Sequence, residues 1–378
     1  MNPELHRLKT FLMTDGIAVT ARARAVLRDT PGRPQPLTLN DYASTSGITL
    51  RLDGDVWVNA PLPEFNPNFV ADPSHQLDHD GNGFVVVSGA LEVAAIPIPV
   101  PSYHDRKNRW GEPFTSYAIT HSDRVRISPV EGCAWACQFC DLPYDFRYRR
   151  KEVERLVDSV AQALADPVLP ARHVLISGGT PRPEDYDYER EVYATVAASF
   201  PGVEVDVMMS PAPGLLDPQE LLGMGIHGLS INLELFGEER SRRLMHAKWK
   251  LGRQNVLAFL EHAAEVFGPG RVRSLLMVGL EPVEDTLAGV AALAVRGCDP
   301  VLSPFRPDPS TPLRGYGPPT AELLMEVYER SAEIAELHGV QLGPRCSPCQ
   351  HNTLTFPLAA GSGAPEYAIC GAAAAVAA

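Results

Sequence analysis

Cys133, Cys137 and Cys140 fall within the stretch GCAWACQFC, separated by three and then two residues. Thiolates spaced this closely suit metal ligation. Three on one loop can hold three irons of a [4Fe–4S] cluster and leave the fourth iron open to a substrate or cofactor. A structural zinc would need a fourth ligand from elsewhere in the chain. Three unligated core thiols, the plain alternative, suit poorly a loop flanked by Gly132 and Pro143. A second set lies further on, where PRCSPCQHN carries Cys346 and Cys349 and is followed, about twenty residues later, by Cys370. Three thiols again predict an auxiliary [4Fe–4S] cluster, its fourth position open or filled by His351 or a substrate atom; a zinc site or a reactive redox pair are the alternatives. Cys298, alone in RGCDP, reads as a small buried hydrophobe.

Such loops need elements to hold them. From Arg124 onward the strand-like runs RVRISP, RHVLISGG, VEVDVMMSP, GLSINLEL, VRSLLMVGLE and DPVLSPFRP alternate with helical patterns such as KEVERLVDSVAQALA and RQNVLAFLEHAAEVFG. The alternation predicts an α/β fold: six parallel strands with right-handed crossovers, curled into a partial or complete barrel. Chemistry in a β/α barrel sits at the C-terminal ends of the strands, and Cys133 follows the end of the first one. Residues 1–120 read as an N-terminal extension of irregular character, with a hairpin signal at Asp53-Gly54 in LRLDGDVWVN and a proline-rich linker in AIPIPVPSYHD. Residues 121–313 read as the barrel, and 314–378 as a long amphipathic helix, TAELLMEVYERSAEIAELHG, followed by the second cysteine segment. That segment is expected to fold back over the mouth of the barrel. The stretch DHDGNG resembles the start of a calcium loop, but the position requiring a bidentate Glu is Gly89, so it reads as a polar turn.

The chain has 378 residues, is 45% hydrophobic and carries a net charge of −13 from 33 basic and 46 acidic residues. This balance argues against duplex nucleic acid as a partner and favours a small molecule. No apolar leader and no run of roughly 18–20 apolar residues is present, which predicts a cytoplasmic protein without membrane contact. Seven cysteines in two clusters and a singleton suit metal ligation in a reducing compartment better than a disulfide framework. The tail GAAAAVAA is low in complexity and uninformative.

The CxxxCxxC spacing, with aromatic Phe139 before the last cysteine, resembles the signature of the radical S-adenosylmethionine (SAM) superfamily, closest to members such as biotin and lipoyl synthases. The resemblance implies a partial (β/α)6 barrel and a [4Fe–4S] cluster on Cys133, Cys137 and Cys140 whose open iron is chelated by SAM. It further implies reductive cleavage of SAM to a 5′-deoxyadenosyl radical that abstracts hydrogen from a small-molecule substrate, with a reductant such as flavodoxin or ferredoxin. SGGTP places Ser177, Gly178, Gly179 and Thr180 where such enzymes hold the methionine amino group, with Thr180 replacing the usual Glu. SINLE offers Asn232 and Glu234 on one strand face for the ribose and amino end of SAM, and Arg253 opens the next helix, where an arginine meets the SAM carboxylate. MVGLEPVED resembles the adenine-packing segment through Val278, Gly279 and Leu280; Glu281 reads equally as a carboxylate at a helix N-terminus. Arg306 in SPFRPDPSTPL is expected near the substrate, and the arginines of DFRYRR as a solvated run.

Two classes of function follow from these residues. The first is a radical SAM enzyme with an auxiliary cluster, open to sulfur insertion or another radical modification. The second is a non-enzymatic iron–sulfur or zinc protein serving electron transfer or scaffolding. Asn232, Glu234 and Arg253 separate the two, because an electron carrier has no need of SAM contacts.

Overall fold

The N-terminal region is a folded sheet and not the irregular extension its sequence suggests. In the computed structural model, which describes residues 3–29 and 47–357, helices α1 (Pro3–Thr14) and α2 (Ala21–Asp29) accompany six strands. These are β1 (Ala18–Val19), β2 (Ile48–Leu52), β3 (Val56–Ala60), β4 (His75–His79), β5 (Phe84–Ser88) and β6 (Leu91–Pro97), in the order β1-β4-β5-β6-β2-β3. The expected hairpin is present, with β2 antiparallel to β3 across Asp53–Asp55. The first three residues of the proline-rich stretch belong to β6, where Pro97 pairs with Leu50. Strands of two to seven residues, broken by polar turns, leave too short a period-2 signal to stand out. DHDGNG is the turn between β4 and β5: the Asp80 carboxylate accepts the backbone N–H groups of Asn82 and Gly83 at 2.6 and 2.8 Å.

All six strands expected from residue 124 onward form, and one more precedes them. The sheet orders as β15-β14-β13-β12-β11-β8-β7, built from β7 (Ala118–His121), β8 (Arg124–Ile127), β11 (His173–Ser177), β12 (Val205–Met209), β13 (Gly228–Ile231), β14 (Val272–Val278) and β15 (Asp299–Pro304). Its six consecutive members β8 to β15 are parallel, and β7 is an antiparallel edge against β8. A small antiparallel pair, β9 (Val130–Glu131) with β10 (Arg149–Arg150), projects beyond β8. The helices are α3 (Leu142–Asp145), α4 (Val153–Leu164), α5 (Tyr186–Ser199), α6 (Pro218–Gly223), α7 (Glu238–Leu244), α8 (His246–Trp249), α9 (Arg253–Phe267), α10 (Val283–Ala294) and α11 (Ala321–Leu337). Strand residues such as Val174, Ile176, Val207, Leu229 and Leu302 bury against the apolar faces of α4, α5, α9 and α10, among them Leu156, Val160, Val192, Leu260 and Val290. Each such side chain contributes about 1.5–3 kcal/mol on burial, and the sheet curls into the partial barrel.

After α11 the chain returns along β15: the N–H of Gly343 donates to Pro300 O and that of Leu354 to Leu302 O, both at 2.8 Å. Between these points Arg345 clasps Asp299, the first residue of β15, at 2.6 and 3.0 Å. This anchor overturns the expected placement of the second cysteine set. Cys346 and Cys349 lie beside Asp123 and His173, at the N-terminal ends of β8 and β11, because a segment pinned to the start of β15 reaches strand beginnings and not the mouth. Cys370 lies outside the described residues. Two buried cations join the parts: Lys9 of α1 donates to Gln350 O and Thr355 O at 2.8 and 2.7 Å, and Arg306 donates to Met13 O, Asn59 Oδ1 and Asn59 O at 3.0, 2.8 and 2.6 Å.

Arg306→Met would leave these acceptors buried and orphaned, each at a cost on the order of 1–3 kcal/mol. The variant is expected to unfold at a clearly lower urea concentration, with a total loss of at least about 3 kcal/mol; an unchanged midpoint would remove Arg306 from the joint.

Candidate active site

The cysteine loop leaves β8 through Ser128, whose hydroxyl donates to Val130 O at 2.6 Å, and is based on the β9/β10 pair. Gly132 begins it at φ 70°, where an added Cβ would stand 2.9 Å from Phe146 O. The neighbouring strand end grips it by backbone. Ala134 N–H donates to Thr180 O at 2.9 Å, and Thr180 N–H donates to Cys133 Sγ at 3.2 Å, joined there by Trp135 N–H at 3.3 Å. This approach is possible only without side chains: a Cβ on Gly179 would meet Gly132 O at 1.9 Å, and one on Gly178 would meet Ser128 Oγ at 2.1 Å. On the far side Gln138 donates from its backbone and side chain to Leu244 O and Arg243 O at 2.8 and 2.9 Å. Cys137 and Phe139 pack against the apolar cluster of Leu235, Leu244, Met245, Leu280, Phe305 and Leu313. Burial, with Glu234 nearby, pushes the Cys137 thiol up to about 12, and burial followed by the Asp141 charge raises that of Cys140. Three half-buried thiols on one glycine-cradled loop, one already receiving two N–H donors, suit a cationic iron–sulfur group that offsets this desolvation.

The loop opens on a cavity of about 270 Å³ that runs through the barrel. Phe139, Cys140, Ser177, Gly178, Asn232 and Glu234 line its upper part, and Arg124, Arg273 and Cys349 its floor. The cavity thus gathers Ser177, Gly178, Asn232 and Glu234, the last two not by strand alternation. β13 ends at Ile231, and Glu234 turns inward through a left-handed φ of 65°. Asn232 Oδ1 accepts from Ser230 Oγ at 3.0 Å and from Leu275 N–H at 3.3 Å. Glu234 is held by Lys248 at 2.7 Å, and Lys248 also donates to Asn232 O at 3.0 Å. Lys248 escaped the sequence reading; the hint was a lysine inside the short, otherwise unexplained run HAKW.

Arg253 is not on the cavity wall. Its guanidinium stacks on Phe236, 4.4 Å from the ring centre, and donates to Phe236 O at 2.6 Å. Val278 O accepts from Phe305 N–H at 2.9 Å, Gly279 sits at φ 107° under the Pro319 ring, and Leu280 belongs to the apolar cluster around Cys137. Glu281 does serve a helix N-terminus, but that of α7: it accepts the N–H groups of Phe236 and Gly237 at 2.9 and 2.8 Å. Arg306 touches the cavity while directing donors to Met13 and Asn59, so the expected substrate contact becomes a structural joint. Cys298 is fully buried, its thiol facing Leu260 O at 3.5 Å, and Arg147, Arg149 and Arg150 are exposed.

A profile of the radical SAM superfamily matches residues 127–294, from the end of β8 to the end of α10. Residues 127–294 form a radical SAM superfamily domain. The family implies a [4Fe–4S] cluster and SAM. The bacteriochlorophyllide c C-7(1)-hydroxylase of Chlorobaculum limnaeum is 33% identical over 75 residues, 20% of this chain and 19% of the relative, so the match spans about a fifth of either length. Similar solved structures include a radical SAM methyltransferase from Sphaerobacter thermophilus, with 17% identity and TM-score 0.46 over 62% of this chain and 71% of that one. The FeFe-hydrogenase maturase HydG from Carboxydothermus hydrogenoformans gives 16% identity and TM-score 0.45 over 61% and 57%. None of these three is a biotin or lipoyl synthase. No helix among the described residues is long and apolar enough to cross a membrane.

Gly179→Ala should force the two loops apart and remove most of the iron retained after anaerobic reconstitution, whereas Gly223→Ala, with open space around its Cβ, should retain it. Equal iron in both would detach the SGGT turn from the cysteine loop. Lys248→Met should destabilise the fold by up to about 3 kcal/mol, because it strands the Glu234 carboxylate. Adding Glu234→Gln should recover part of that loss in chemical denaturation.

Proposed function

We propose that this chain is a radical SAM enzyme acting on a small molecule within the barrel. The observation that carries the reading is the opening of the three-cysteine loop, through Phe139 and Cys140, directly onto the barrel cavity. A pure electron carrier gains nothing from a lumen beside its cluster, which disfavours the non-enzymatic alternative. When bound, the [4Fe–4S] cluster supplies the electron that cleaves SAM, yielding the 5′-deoxyadenosyl radical that abstracts hydrogen. Cys133, Cys137 and Cys140 would hold the cluster. The backbone of Ser177 to Thr180 would face the methionine end of SAM, Asn232 and the Lys248-held Glu234 its amino and ribose groups, and Val278, Gly279 and Leu280 its adenine. Arg253 would act through Phe236 as a positioning residue. Leu175, Met208, Met209, Met277 and Phe305 line the lumen and keep water from the reacting carbon. A flavodoxin- or ferredoxin-type reductant would serve as electron source, with residues 121–313 as the working barrel.

Anaerobic incubation of the reconstituted protein with SAM and dithionite should release 5′-deoxyadenosine. The Cys133/Cys137/Cys140→Ala variant should release none, and persistent cleavage would sink the assignment. Asn232→Ala should keep its iron while weakening SAM by roughly tenfold, the value of about 1.4 kcal/mol for a hydrogen bond at the upper end of the usual range.

A further inference from the structure

At the opposite end of the barrel from the signature loop, four side chains from three chain segments converge. Candidate ligand atoms of Asp123, His173, Cys346 and Cys349 all lie within 4.8 Å of one another. We propose that these four residues form a mononuclear, zinc-type metal site and that Cys346 and Cys349 do not belong to a second iron–sulfur cluster.

The geometry follows from the fold. Parallel pairing sets His173, the first residue of β11, opposite Arg124 of β8, which brings Asp123 one residue upstream against the imidazole. From the other side the turn beginning at Cys346 closes by the Cys349 N–H donating to Cys346 O at 3.1 Å, so both sulfurs face the same point. Arg345 on Asp299 and Lys9 on Gln350 O fix that turn on either flank.

Distances among the donors match one small ion. Zinc binds sulfur at about 2.3 Å and nitrogen or oxygen at about 2.0–2.2 Å, which in a tetrahedron sets sulfur–nitrogen and sulfur–oxygen pairs about 3.5–3.7 Å apart and the nitrogen–oxygen pair about 3.3–3.5 Å apart. Cys349 Sγ stands 3.3 Å from His173 Nε2, His173 Nε2 stands 3.5 Å from Asp123 Oδ1, and Asp123 Oδ1 stands 3.8 and 4.0 Å from the sulfurs of Cys346 and Cys349. A cubane cluster would place each thiolate outside its own iron and spread them further. Two thiolates, one imidazole and one carboxylate fill all four positions, the pattern of a closed structural site and not a catalytic one. Three anionic donors around a dication leave one net negative charge, and Arg124 shares the cavity floor with Cys349 to offset it. The metal fastens the C-terminal segment to the floor of the barrel, and the two thiol protons leave as it binds.

Metal analysis of the full-length chain, reconstituted anaerobically with iron and sulfide in the presence of zinc, tests this independently of SAM cleavage. The wild type should hold about one zinc beside about four irons. Cys346→Ala/Cys349→Ala should lose the zinc and keep the irons, His173→Ala should bind zinc at least about tenfold more weakly, and Cys370→Ala should keep both metals. Cobalt(II) loaded into the wild type in place of zinc should give the intense visible bands of a tetrahedral site with a thiolate-to-metal transition in the near ultraviolet. About eight irons without zinc in the wild type, loss of the second metal in Cys370→Ala, or cobalt bands of octahedral weakness would each overturn it.

Discussion

The backbone contact between two neighbouring strand ends, Thr180 N–H to Cys133 Sγ and Ala134 N–H to Thr180 O, is the constraint on which the upper half of the molecule depends. Hydrogen bonds to a sulfur at this distance require the chains to meet without intervening side chains, hence the paired glycines at 178 and 179. It also requires β8 and β11 to be adjacent and in register, as the ladder Val125↔Val174 to Ile127↔Ile176 provides. The cysteine loop is therefore fixed by the sheet. The cavity beneath it inherits that rigidity through Glu234, whose inward turn is locked by Lys248 and by its N–H donating to Leu275 O at 2.7 Å.

The lower half follows a different logic. Instead of glycine contacts, it uses buried charged groups with matched partners: Asp206 between Arg273 and His227, and Asp299 against Arg345. Burial raises the Asp206 carboxyl, but the charges of Arg273 and His227 and their two hydrogen bonds together hold it well below the usual carboxylate range. Such pairs add little net stability over apolar packing, yet removing one partner is costly, so they specify where segments dock more than how tightly.

What was legible in the sequence was the periodic and the clustered. All six parallel strands were visible because each is a continuous apolar run between helical patterns, and Cys133, Cys137 and Cys140 because the chemistry sits in nine consecutive residues. The N-terminal sheet was obscured because β1 pairs with β4 across more than fifty residues and no strand there exceeds seven. Lys248, and the convergence of Asp123 and His173 on Cys346 and Cys349, were invisible for the same reason: these partners are separated by 14 to 226 residues and meet only through tertiary packing. Arg253 and Arg306 were assigned by position in a pattern, and the structure gives their donors to backbone carbonyls, a use that no local spacing announces.

The ammonium of Lys9 bonded to the carbonyls of residues 350 and 355 closes a loop of more than 340 residues. During synthesis α1 emerges long before its acceptors exist, so the Lys9 amine must wait in water until residues 350 and 355 have left the ribosome. The barrel can close on local β/α contacts in the meantime. Helix α1 and the turn around residues 350–355 then join after the barrel that lies between them in the chain.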